Sequence, residues 1–172
     1  MKIFALIIFL FAFATGYAQS KIAPTDSFVV KGQIKNSVTF SINMLDTFKA
    51  KSLNDIITVN HLGQALTTIK NVRGVLLKDV LSDIQLKSRG PKQSFSYYME
   101  CVASDGFKVV FSRNEIFNTM NGDNTFIIVE RDGEKLKDID DRIAILMLTG
   151  NGKGHIYIKG LQQIIIKSVN EE

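Results

Sequence analysis

The sequence predicts an α+β domain built on a mixed, largely antiparallel sheet with short helices. Three observations lead there. Short runs of alternating apolar and polar residues, rich in Val, Ile and Phe, recur along the chain with the period of strands. Helical spacing of apolar residues shows only in brief stretches. Turn signals such as Asp105-Gly106 and Asp132-Gly133 punctuate the runs. Many short strands with a few short helices, and no internal repeat or linker, fit one α+β domain.

The chain opens with Lys2, an apolar run from Ile3 to Ala14, and Gly16-Tyr17-Ala18. A positive residue, a short apolar core and a small-x-small site have the form of a secretory signal peptide. The run is too short for a comfortable membrane span. Cleavage is expected after Ala18, with an uncleaved anchor as the alternative. Removing 18 of the 172 residues leaves 154 and lowers the net charge from +4 to +3. That length suits about one domain, able to bury a core without cross-links. The lysines are scattered, with no basic stripe interleaved with aromatics, which argues against nucleic acid. Cys101 is the single cysteine, so no intrachain disulfide exists. For an exported chain this fits a bacterial periplasm better than a disulfide-rich secreted module. The expectation is a periplasmic or secreted protein, off the membrane once cleaved.

Residues 19–27 are polar with Pro24 and read as a flexible leader; residues 28–169 form the single domain. Phe28–Ile34 is the first strand and Val38–Ile42 the second, across an Asn36-Ser37 turn. Asn43 is placed to cap a brief helix over Met44–Phe48. Ile56–Val59 and Ala65–Ile69 pair as strands through Asn60-His61-Leu62-Gly63. After Gly74, Leu77, Val80, Leu81 and Ile84 fall at helical spacing and predict an amphipathic helix. Lys87–Ser94 is a polar loop with Gly90-Pro91.

Tyr97–Ala103 and the alternating run from Phe107 to Ser112 make a hairpin around Ser104-Asp105-Gly106. Ser112 and Glu115 have capping-box spacing, so a short helix follows through Ile116 and Phe117. Asn121-Gly122-Asp123-Asn124 ends it. Thr125–Glu130 is a strand closed by Asp132-Gly133, a favoured two-residue hairpin signal. Ile143–Leu148 and His155–Val169 are strands joined by the Gly150–Gly154 loop, the second broken near Gly160.

Five pieces stand in order: FVVKGQIKN with VTFSINML, then NVRGVLLKDVL, ECVASDGFKVVFSRNEI, IIVERDGEKL and IYIKGLQQIII. In that order they resemble the molybdopterin-binding domain of sulfite-oxidase-type oxidoreductases, over nearly the whole mature chain. The resemblance implies a compact α+β fold with a mixed sheet, and molybdopterin as the cofactor. In that family a Cys within Thr-x-x-Cys-x-Gly-Asn ligates molybdenum. The nearest segment here is Thr58–Gln64, with His61 at the Cys place or the whole segment a plain hairpin turn. A soft thiolate suits that metal's site, and imidazole substitutes poorly. Ile156 and Tyr157 occupy the places of the family's Arg-Trp pair, whose Arg is available for cofactor phosphate. The resemblance with these departures implies an exported domain that has lost the metal-ligating Cys. Such a domain acts as a non-catalytic binding or accessory module, for a small anionic ligand or a periplasmic protein. The alternative is a molybdopterin-dependent oxidoreductase with an atypical ligand, His61 or Cys101.

Five residues are candidates for cofactor or ligand binding: His61, Cys101, Asp105, Lys153 and His155. Cys101 is either a ligand or reactive thiol, or an inert buried Cys among Met99, Val102 and Ala103. His61 is a ligand or base, or a solvated turn residue. Asp105 orients a ligand or shapes its turn. Lys153 lies in a Gly-rich loop whose N–H groups can cradle an anion, although a strand rather than a helix follows. His155 lines a groove, or shares an exposed strand face with Tyr157 and Lys159. Cys101, His61 and His155 have no zinc-motif spacing, and no metal site is expected of them together. Asp138, Asp140 and Asp141 read as solvated charge.

Overall fold

The computed structural model describes residues 21–87, 95–148 and 153–169, and only the backbone of His155. The predicted signal peptide, the Gly90-Pro91 turn and residues 149–152 lie outside the described residues. No helix among those described is long and apolar enough to cross a membrane.

Among the described residues, eleven strands form two sheets. The first sheet holds β1 (Ser27–Gly32), β2 (Val38–Ser41), β5 (Tyr97–Ala103), β6 (Lys108–Ser112) and β11 (Leu161–Ser168), in the order β2-β1-β11-β5-β6. The second holds β3 (Lys51–Val59), β4 (Ala65–Leu76), β7 (Thr125–Arg131), β8 (Glu134–Lys135), β9 (Ala144–Leu148) and β10 (Gly154–Ile158), in the order β4-β3-β10-β9-β7-β8. The pairs β1–β11 and β3–β10 are parallel and the others antiparallel. The α+β class with a mixed, largely antiparallel arrangement therefore stands, divided between two sheets.

An additional pairing between β4 and β7 closes five strands of the second sheet into a ring. Each ring strand contributes to one apolar cluster: Ile56, Ile69 and Val72, Phe126 and Ile128, Leu146, and the half-buried Tyr157. Alternation on strands explains this, since every second side chain points inward. Two glycines keep the ring tight. A Cβ on Gly74 would lie 2.8 Å from the Phe126 Cβ, and one on Gly154 would lie 3.0 Å from a Leu146 methyl. The opposite parity, including Val75, Ile127, Ile145 and Ile158, faces the first sheet. There it meets Phe28, Val30, Met99, Cys101, Phe111 and Ile164 in the main core.

Local signals account for most elements. Strand β5 buries Tyr97, Met99, Cys101 and Ala103 in strict alternation. The Asp132-Gly133 turn has φ of 54° and 85°, the left-handed pair that a two-residue hairpin requires.

The helices are shorter than predicted. Helix α1 (Ile42–Leu45) is capped by Ser41, whose hydroxyl accepts from the Met44 N–H, not by Asn43. The amphipathic helix after Gly74 shrinks to one turn, α2 (Leu77–Val80), because β4 continues through Leu76 to pair with β7. Leu77, Val80 and Leu81 are still buried and Ile84 partly so, and the backbone before them serves the sheet. Helix α3 (Arg113–Asn118) forms without the capping box: Ser112 makes no cap bond, and Glu115 accepts from Asn121 Nδ2. Asn121–Asp123 does not end that helix but belongs to a further turn, α4 (Met120–Asp123).

The predicted leader is seated at its C-terminal end. Ala23 exchanges hydrogen bonds with the Ser104 hydroxyl, Thr25 bridges to Arg142, and Asp26 pairs with Arg142. Gly160 (φ 62°) makes room, since a Cβ there would meet Ser104 Oγ at 2.6 Å and Ala23 O at 2.9 Å.

Candidate functional site

The structure disperses the predicted site residues. Cys101 lies mid-strand in β5, fully buried in the main core. Burial pushes its thiol up to about 12, helped by the nearby Glu100 charge. It is therefore protonated at neutral pH and faces apolar neighbours, as an inert core Cys does. His61 is exposed at the tip of the β3–β4 hairpin. Asn60 organises that tip: its Oδ1 accepts from the Leu62 and Gln64 N–H groups and its Nδ2 donates to Gln64 Oε1. Asp105 shapes the β5–β6 turn, accepting from the Phe107 N–H at 2.9 Å. Lys153 is exposed just before β10, and His155 lies in β10. The register Gly154↔Thr58 sets these two beside the end of β3, on the same side of the ring as the hairpin bearing His61. Cys101 is in the other sheet.

Pterin-bound molybdenum asks for a deprotonated thiolate or another ligand facing a cleft. Cys101 is protonated and sealed, and His61 stands on a solvated tip. Among the described residues no group of three His, Cys, Asp or Glu converges. These residues do not fit the metal.

Two other features carry more chemistry. The first is a polar network at the ring end where β7 and β10 finish. Arg131 donates to the Tyr157 hydroxyl and lies 3.0 Å from Asp141 Oδ1; Lys159 lies 3.3 Å from Asp141 Oδ2 and 5.1 Å from the Tyr157 ring centre. The Arg131–Asp141 contact is off the donor direction, so it is Coulombic and Oδ1 gains no hydrogen bond. Asp141 is only 8% exposed, which corrects its reading as solvated charge. Burial pushes Tyr157 up to about 12, against the lowering pull of Arg131. The supposed exposed face of β10 instead carries this residue into the ring interior. The network closes one end of the ring while keeping its buried charges paired, as burial demands.

The second feature is a cleft of about 340 Å³ between the α1–β3 loop and the edge formed by β4, β7 and β8. Phe48, Ala50 and Val129 give it an apolar floor, and Asp46, Arg73, Glu130 and Lys135 supply charge. Arg73 and Glu130 pair at 3.1 Å across the β4–β7 junction. The wall positions are fixed locally. Asp46 is the C-cap of α1 and bonds back to Ile42 O. Asp132, in the β7–β8 turn, takes the Lys70 N–H on Oδ1 at 2.8 Å and donates its own N–H to Lys70 O at 2.7 Å. Neither feature is legible in the sequence, because their members are separated by up to 89 residues, from Asp46 to Lys135.

No protein-family model and no curated protein matches the chain. Among solved structures it is similar to the sulfane dehydrogenase SoxCD from Paracoccus pantotrophus, at 13% identity and a TM-score of 0.56. The likeness covers 84% of this chain and 39% of that one. At that identity it is a distant relation of fold, and this chain spans about two fifths of its neighbour's length.

Proposed function

We propose that the chain is an exported, molybdopterin-binding-like domain that lacks the metal-ligating Cys and works as a non-catalytic binding or accessory module. The observation that carries this reading is the position of Cys101. Its thiol is enclosed by the main core and held protonated, so the one cysteine in the chain is unable to act as the family's thiolate. The fold likeness to SoxCD supports the kinship of the scaffold, and fold alone assigns no activity. The apolar run at the N-terminus supports export to a periplasm.

Expression with the native signal, in a bacterium that makes the cofactor, tests the reading. The folded, purified protein is assayed for molybdenum and for released pterin fluorescence, beside a cofactor-binding control. Neither should be found in it. A near one-to-one content of both would overturn the proposal in favour of an oxidoreductase with an atypical ligand. The cell fraction from the same culture tests export: retention of the uncleaved chain in the cytoplasm would remove that part.

A further inference from the structure

We infer that the cleft between the α1–β3 loop and the β7–β8 hairpin binds a small zwitterion with an apolar side chain, of the chemistry and size of a free-ended dipeptide. The inference rests on the binding-module reading and names the ligand that such a module would take.

Charge pairing leads to this. Lys135 stands directly across the strand pair from Glu130, the position from which opposite charges normally interact. Glu130 instead gives its carboxylate to Arg73. Lys135 has no charge partner among the described residues, and neither does the Asp46 carboxylate on the opposite wall. One uncommitted cation and one uncommitted anion therefore line one cleft. A simple anion would meet Asp46 and Glu130 there, and a simple cation would meet Arg73 and Lys135. A zwitterion satisfies both ends, with its carboxylate toward Lys135 and its ammonium toward Asp46. The floor of Phe48, Ala50 and Val129 would then take an apolar side chain out of water.

Size and rigidity agree. A volume of about 340 Å³ lies at the small end of ligand pockets, roughly 300–1,000 Å³. That is room for the side chain and both charged ends of a dipeptide. Both charged residues sit on backbone that is pinned by caps and cross-strand bonds, so little ordering cost opposes binding.

The test titrates the full exported chain with L-leucyl-L-alanine, its N-acetyl derivative and its C-terminal amide, by calorimetry and by two-dimensional NMR. The free dipeptide should bind and shift the signals of Phe48, Ala50 and Lys135. Each block should weaken binding at least tenfold, as the loss of a charge-assisted contact implies. Lys135→Met should lose affinity for the free dipeptide and no longer distinguish it from the amide. Asp46→Asn should do the same for the acetylated end. Both residues are exposed, so both variants fold. No binding of the free dipeptide at millimolar concentration, equal binding of the blocked forms, or shifts mapping elsewhere would overturn the inference. The metal and pterin assay fails or succeeds independently of these titrations, so loss of the ligand class and loss of the binding-module reading are separable.

Discussion

Replacing Tyr157 by Phe removes one oxygen from the polar network that closes the ring. The apolar body of the side chain remains in the interior cluster with Leu146 and Phe126. What is lost is the acceptor for Arg131, whose side chain is only 14% exposed. A hydrogen bond to a charged group is worth about 1.5–3 kcal/mol, so the variant should be less stable by that amount near pH 7. For a domain of this size that corresponds to a fall in Tm of roughly 3–12 °C.

The pH dependence makes the test sharper. In the folded protein burial raises the Tyr157 hydroxyl from 10.0 to about 12. A raised folded pKa means that this group's contribution is complete below the unfolded value and is lost as pH climbs from about 10 through 12. Two pH units correspond to roughly 2–3 kcal/mol of alkaline destabilisation. Phe cannot ionise, so that share of the loss should be missing from the variant. Urea unfolding of both proteins at closely spaced pH values would show a gap at pH 7 that narrows toward pH 12. Equal stability at pH 7, or parallel loss above pH 10, would refute the assignment of Tyr157 as the buried partner of Arg131.

Glu100 offers the mirror-image test on the first sheet. Lys167 and Lys108 hold its carboxyl below the ordinary range, so its contribution is present above that range and disappears as pH falls through the lowered value; Glu100→Gln should cost stability at pH 6 and nothing in strong acid, read by acid unfolding. Cys101 should resist a thiol reagent in the native protein and react only at the rate of global unfolding. Rapid native labelling would place the thiol at the surface and overturn its assignment as an inert core residue. Gly122→Ala should be strongly destabilising, since a Cβ would lie 1.8 Å from Ile116 O and meet only backbone there; overpacking of this kind costs about 1–3 kcal/mol or more. Gly133→Ala should lose less, about 1 kcal/mol, because its Cβ meets nothing within 4 Å and only the left-handed φ of 85° is penalised. Reversal of that order in thermal unfolding would contradict the packing of α4 on α3.

Local chemistry in the sequence was enough to set the strands, their turns and the α+β class. Tyr97–Ala103 is apolar enough to read as a strand beside the Asp105-Gly106 turn, and the fold then selects Tyr97, Met99, Cys101 and Ala103 as its buried face. Asp132-Gly133 names its turn because few other residues tolerate two left-handed φ values in succession. Helix lengths were less legible. Leu77, Val80 and Leu81 have helical spacing, yet β4 runs to Leu76 because pairing with β7 outweighs a short helix's weak propensity. Glu115 is drawn to Asn121, six residues on, in place of the cap.

The candidate sites belong almost wholly to the tertiary structure. His61, Cys101 and Asp105 look equally capable of chemistry on paper, and only the fold assigns them to a solvated tip, a sealed core and a turn. Asp141 reads as one of three solvated acids until the chain brings Arg131 and Lys159 to it. Lys135 faces Glu130 across the hairpin, and only the fold shows that Arg73, 57 residues from Glu130, takes that carboxylate. Strand period and turn type depend on a residue and its nearest neighbours along the chain. Whether a charge is satisfied depends on which distant groups the closed ring brings within a few ångströms, and that is decided only when the β4–β7 pairing forms.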